Sequence, residues 1–317
     1  MSTGDAGFEA PLVELRRQIE ELERYPDESG RKRELARLRS RLRRETEALF
    51  ASLTPWQTAL IARHADRPFT LDYVQALMSD WVEIHGDRAY GDDPAIVAGL
   101  ADFRGRPVVV VGHQKGRSTR ERIRRNFGQP RPEGYRKALR AMQLAERFRL
   151  PILSFVDTPG AYPGIEAEER GQAEAIARNL LEMAVLRVPI VVTVTGEGGS
   201  GGALAVGIGD RILMLEHAVY SVISPEGCAA ILWKDQGRKE EAAAAMRITA
   251  PELLRLGVID AIVPEPLGGA HADPQEACTR VGEAIAKALR ELSRLAPDKL
   301  VTERRKRFRH LGAFLES

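Results

Sequence analysis

The stretch Val191 to Asp210, VVTVTGEGGSGGALAVGIGD, constrains this chain more than any other. Val191 to Thr195 is a β-branched run, the pattern of a strand buried on both faces. Gly196, Gly198, Gly199, Gly201 and Gly202 follow, and Ala203 to Val206 then reads as a short apolar helix. A turn without Cβ atoms can present consecutive backbone N–H groups, and a helix N-terminus adds positive potential. The stretch is therefore expected to face something anionic, or something that becomes anionic.

Three chemistries suit such a loop. The first is dinucleotide binding, because Gly196 to Gly201 is a literal G-x-G-x-x-G after a strand, with Glu216 downstream. Against it, Gly207, Gly209 and Asp210 end the helix too early, and Glu197 would set a carboxylate beside a pyrophosphate. The second is a serine nucleophile at Ser200, since Gly198 to Gly202 is also a literal G-x-S-x-G. Asp235, Asp260, His217 and His271 lie downstream, but no spacing marks any of them as a triad partner. The third is an oxyanion hole, in which glycine N–H groups stabilise an oxygen gaining charge in the transition state. Five glycines exceed what a tight connection alone requires.

Bulk composition narrows the class. The 317 residues are 44% hydrophobic and 29% charged, a globular balance. A net charge of +2 argues against a general nucleic-acid or membrane binder. Cys228 and Cys278 alone cannot form a disulfide framework or a cysteine-rich zinc site, so no metal is expected in this chain. No signal peptide and no apolar run of about eighteen residues is read, which makes the cytosol the expected address.

Along the chain, residues 1–10 read as a frayed polar start. Leu12, Leu15, Ile19 and Leu22, then Leu35, Leu38, Leu42 and Leu49, give two apolar stripes separated by a break at Tyr25 to Gly30. The spacing predicts an N-terminal helical hairpin over 1–53, an assembly element whose narrow stripes want a partner surface. Helix starts are expected at Thr54-Pro55 and at Thr70. Residues 95–103 and 107–112 predict a β-hairpin turning at Arg104-Gly105. Lys115, Arg117, Arg124 and Arg125 follow as a solvated loop or as contacts for an anion or a partner. Arginines without interleaved aromatics are a poor nucleic-acid signature.

Tyr135, Ala138, Leu139, Met142, Ala145 and Phe148 mark a helix face. A strand over 151–156 runs into Asp157-Thr-Pro-Gly160, and a helix through Ala173, Ile176, Ala177, Leu180 and Ala184 leads to the glycine stretch. The DxxG at 157–160 lacks any G-x-x-x-x-G-K-[ST] companion, so a GTPase is excluded. Residues 211–215 and 219–223 read as a second strand pair, and Ser224-Pro-Glu-Gly227 as a helix start. A last amphipathic helix is expected over 275–296, and 297–317 reads as a basic C-terminal tail at the surface. Strand pairs alternating with helices predict a mixed α/β sheet.

The blocks HQKG, RRNFG-x-P-x-PEGYRKALR, DTPGAYPG-x-x-AEERGQ-x-EAIARNL, GEGGSGGALA, YSVISPEGCAAILWK and EPLGGAH together resemble the α subunits of bacterial acetyl-CoA carboxylase carboxyltransferase over about residues 5–300. One departure is Ala272, where that pattern carries a basic residue. The resemblance implies a crotonase-like ββα superhelix over 54–296. It implies transfer of the carboxyl group from carboxybiotin, held on a separate biotin carboxyl carrier protein, to acetyl-CoA, making malonyl-CoA for fatty acid biosynthesis. Its implied partners are a zinc-ribbon β subunit in an α2β2 complex and biotin carboxylase. Carried over, Gly201 and Gly202 would stabilise the biotin ureido oxygen. Gly160, Tyr162, Gly164, Gly198, Gly199, Ser224, Glu226 and Gly227 would line the substrate loops. No side-chain nucleophile is needed, because departing carbon dioxide leaves a ureido anion that can serve as base.

Overall fold

The structure, a computed structural model, describes residues 7–24 and 29–312. Of the expected break at Tyr25 to Gly30, residues 25–28 lie outside the described residues, as does most of the polar start, while Ser29 and Gly30 already belong to a helix. Gly7–Glu9 is not frayed but forms a 3-10 turn that buries Glu9. The two arms are the helices Ala10–Glu23 and Ser29–Phe50. Their stripes cover one another: Leu15, Ile19 and Leu38 are buried together, with Leu22, Leu35 and Leu42 packed around them.

The rest is built on one sheet whose strands are β1 (Ser79–Glu83), β2 (Ile96–Asp102), β3 (Pro107–His113), β4 (Ile152–Thr158), β5 (Ile190–Gly199), β6 (Arg211–Leu215), β7 (Val219–Ser221) and β8 (Ala261–Val263). The order is β1-β2-β3-β4-β5-β6-β8. β1, β2 and β3 are antiparallel, and pairing from β3 onward is parallel. The parallel part explains the uninterrupted apolar runs. Every residue of β4 and β5 is buried, because helices cover both faces. The helices Pro132–Phe148 and Gln172–Met183 make the crossovers from β3 to β4 and from β4 to β5.

Several expectations change. The helix expected to start at Thr70 stops at Leu77, and β1, a strand the sequence did not announce, follows it. Thr70 is the first residue of that helix, as expected; Phe69 holds the cap position, and the Thr70 hydroxyl donates to the His113 carbonyl at 2.5 Å. β6 and β7 do not form a hairpin. Both run parallel to β5, β6 along Val191–Val194 and β7 along Glu197–Gly199. Phe148 is exposed in the last turn of its helix. In the next helix the buried face is Gln172, Ala175, Asn179 and Met183, with Ala173 and Ala177 outside. Gln172 and Asn179 can be buried because their amides donate to the carbonyls of Pro130, Tyr162, Tyr135 and Ala205.

The basic C-terminal segment is not a surface tail throughout. Pro297–Arg309 is a helix that buries Leu300 and Arg304. Arg304 donates to both carboxylate oxygens of Asp210 at 2.9 and 2.8 Å, and to the carbonyls of Met183, Leu186 and Val188. A basic stretch looks solvated in sequence, yet one guanidinium can be buried when acceptors surround it.

Candidate active site

The glycine stretch is a strand for longer than its composition predicts. Gly196, Gly198 and Gly199 lie inside β5, and Gly198 pairs with Thr158 on one side and Tyr220 on the other. Close approach requires these glycines. A Cβ at Gly196 would fall 2.4 Å from Asp157 Oδ1, at Gly198 2.5 Å from the Tyr220 ring, and at Gly199 2.2 Å from the Pro159 carbonyl. The helix starts at Ser200, not at Ala203, and spans Ser200–Leu204. Ser200 makes the turn with φ of 52°, a left-handed backbone that an L-residue adopts at a cost. Gly201 and Gly202 then fall in the first turn, whose N–H groups have no acceptor within the helix.

The loop after β4 packs against this turn. A Cβ at Gly202 would lie 2.5 Å from both the Gly160 carbonyl carbon and the Ala161 nitrogen. Gly160 has φ of 149° and is held by Thr158, whose hydroxyl donates to the Gly160 carbonyl and accepts its N–H. The Tyr162 N–H donates to the Pro130 carbonyl, and Arg131 stacks over its ring at 4.7 Å. Gly164 is pinned under that ring, with 2.3 Å left for a Cβ. Ser224 caps the helix Pro225–Trp233 by accepting the Gly227 N–H at 3.1 Å.

Beneath the turn runs a chain of charges. Asp157 Oδ1 accepts the Glu197 N–H at 2.9 Å and Lys115 Nζ at 2.7 Å. Lys115 also reaches Glu197 at 3.2 Å, and Arg63 joins Glu197 to Glu226. Burial works against the charges of Lys115 and Glu197. Their opposite partners outweigh it, holding the lysine pKa above and the carboxyl pKa below their ordinary values. Lys115, expected as an anion contact, therefore spends its ammonium on two internal carboxylates. Arg67, fully buried, ties the Thr195 carbonyl to Glu265.

The other basic candidates differ in what they meet. Arg117 pairs with Asp72 at 2.8 Å and lies over Phe69, Arg125 donates to the Pro94 carbonyl, and Arg124 is exposed. Sequence reasoning assigned no role to His113, Asp157 or Arg63. The available signal was a polar residue at the carboxyl end of an apolar parallel strand, where His113 and Asp157 both stand.

Among the described residues the Ser200 hydroxyl makes no hydrogen bond to a histidine or carboxylate, so nothing activates it as a nucleophile. Glu9, His64 and His271 have donor atoms within 4.8 Å of one another. The two imidazoles stack, with centroids 4.0 Å apart at 23°, so their in-plane lone pairs lie in nearly parallel planes. A cleft of about 730 Å³ opens at the amino ends of β3, β4 and β5, lined by Pro107, Pro151 and Pro189, at the opposite end of the sheet from the glycine turn. No helix among the described residues is long and apolar enough to cross a membrane.

Residues 6–312 match the family model described as acetyl co-enzyme A carboxylase carboxyltransferase-like. The acetyl-coenzyme A carboxylase carboxyl transferase subunit alpha of Geobacter metallireducens is 57% identical over 310 residues, 98% of each chain. Its counterpart from Geobacter sulfurreducens is 62% identical over 273 residues, 86% of each. In structure, the chain resembles transcarboxylase 12S with a TM-score of 0.59 at 21% identity, covering 73% of this chain and 43% of that one. A Pseudomonas malonate decarboxylase hetero-tetramer in complex with coenzyme A gives 0.58 at 20% identity, covering 74% and 91%. These two likenesses establish the crotonase-like fold.

Proposed function

The chain belongs to the family of acetyl-CoA carboxylase carboxyltransferase α subunits, and from that premise we propose how its site works. It supplies the carboxybiotin half of a carboxyl-transfer centre. The observation that carries this reading is the turn Gly199–Gly202, packed on the Gly160 loop at the carboxyl ends of β4 and β5. That position is where ligands of parallel sheets gather. Carboxybiotin brings a carboxyl group whose departure as carbon dioxide leaves negative charge on the ureido oxygen. N–H groups in the first turn from Ser200, with Gly201 and Gly202 keeping it open, hold that oxygen. The Gly160–Gly164 loop, Gly198, Gly199 and the Ser224–Gly227 turn form the walls. With carboxybiotin bound, its ureido group would take up the acetyl methyl proton as the carbon dioxide leaves, and the enolate, held by the partner subunit, would accept that carbon dioxide to give malonyl-CoA.

The partner is a zinc-ribbon β subunit in an α2β2 complex that works in the cytoplasm with the biotin carboxyl carrier protein and biotin carboxylase. The helical hairpin at 1–53 is its assembly element, 54–296 the catalytic domain, and 297–317 the closing segment. The exposed Arg124 and the neighbouring Arg117 and Arg125 serve a partner or the CoA phosphates. Co-expression with the β subunit should give malonyl-CoA decarboxylation that depends on free biotin, whereas the isolated chain should be inactive. Turnover by the isolated chain, or none in the complex, would sink this reading.

A further inference from the structure

Three elements meet at one guanidinium. Arg63 caps the helix Pro55–Ala62, Glu197 lies in the glycine end of β5, and Glu226 stands in the first turn of the helix Pro225–Trp233. Arg63 Nε donates to Glu197 Oε1 at 2.6 Å, while its two terminal nitrogens reach the Glu226 oxygens at 2.5 and 3.2 Å. Trp56 lies against the guanidinium, 5.6 Å from ring centroid to its central carbon. The far oxygen of Glu197 is taken by Lys115. All three charged side chains are largely buried, with 14%, 11% and 27% of Arg63, Glu197 and Glu226 exposed.

We propose that Arg63 is a positioning residue whose rigid fork fixes the distance between the glycine end of β5 and the Ser224–Gly227 turn, the two walls of the biotin slot. The inference rests on the function proposed above. A planar guanidinium that binds three carboxylate oxygens from two elements fixes orientation as well as separation, and a lysine ammonium cannot reproduce that. Stability alone does not require the arrangement, because well-packed apolar groups commonly replace buried ion pairs without loss. Arg63 and Lys115 also face three carboxylates, those of Asp157, Glu197 and Glu226. Removing Arg63 would take the guanidinium from Glu197 and Glu226 beside a site that receives an anion.

The test uses the assembled complex and biotin-dependent decarboxylation of malonyl-CoA. Arg63→Met should lower kcat/KM for biotin by about tenfold or more, while KM for malonyl-CoA stays within about threefold. Arg63→Lys should recover little of that loss. The double variant Arg63→Met/Glu226→Gln removes the orphaned charge, so it should regain thermal stability without regaining biotin kinetics. Unchanged biotin kinetics in Arg63→Met, or activity that returns together with Tm in the double variant, overturns the proposal. If Arg63→Met does not fold, Glu226→Gln alone decides: it should raise KM for biotin about threefold or more, and an unchanged KM refutes the clamp. A wild-type complex without turnover removes the function and this inference together; an active wild type with an indifferent Arg63 removes only the inference.

Discussion

The Nε2 of His113 lies 3.2 Å from the carbonyl oxygen of Gly202, joining the end of β3 to the first turn of the glycine helix. Its other nitrogen faces the backbone N–H of Asp157 at 3.4 Å. Only an acceptor can face that N–H, so Nδ1 carries the lone pair and Nε2–H donates to Gly202. The ring is fully buried, and burial pushes its pKa down to about 3 against the bond to the Gly202 carbonyl, which favours the cation.

The His113 pKa has a consequence for stability. An unfolded chain protonates this histidine below about pH 6.5, whereas the folded protein resists the proton. Its stabilising contribution is therefore complete above that pH and is lost progressively as pH falls toward 3. His113→Gln should make unfolding free energy fall less steeply with acid, by up to about one proton between pH 6 and 4. Parallel pH curves for the two proteins in urea titrations would refute the neutral assignment.

Gly201 and Gly202 separate by the space around them. A Cβ at Gly201 meets only Ile176, at 3.6 Å, whereas at Gly202 it meets backbone at 2.5 Å. Gly201→Ala should keep activity within about threefold and add up to about 1 kcal/mol of helix stability. Gly202→Ala should shift the Gly160 loop and cost on the order of a hundred- to a thousand-fold in kcat, the scale of a lost oxyanion donor. Steady-state rates of the two complexes check this, and equal effects would contradict it.

Ser200 supplies a conformation rather than a reacting group. Its φ of 52° is available to glycine without strain, so Ser200→Gly should leave the fold intact and gain a few tenths to about 1 kcal/mol. Ser200→Ala should retain most activity, and a fluorophosphonate should not label the wild type. Loss of turnover in Ser200→Ala, or covalent labelling, would restore the hydrolase reading.

Arg304 anchors the C-terminal helix through Asp210. Arg304→Met leaves the Asp210 carboxylate buried without its cation and should cost about 3–5 kcal/mol in denaturant unfolding. Arg304→Met/Asp210→Asn should recover part of that loss, since the stranded charge is gone. A single variant as stable as wild type would contradict the anchor.

Local chemistry made much of this protein readable. The valines of β3 and β5 announced buried strands, Thr54 and Ser224 announced helix starts, and Arg104-Gly105 announced the β2–β3 turn. Each depends on neighbours a few positions apart. Tertiary structure decided what the glycines of β5 and the turn after it meet. Asp157, Tyr220, Pro159 and Gly160 come within contact distance of them only when β4, β7 and β5 lie side by side. It also decided which charges meet: Arg63 and Glu226 are 163 positions apart, and Arg304 and Asp210 are 94. Periodicity and composition describe which face a residue takes on its own element. They carry no record of which acid will find which base across the sheet, because that pairing is set by the path of the whole chain.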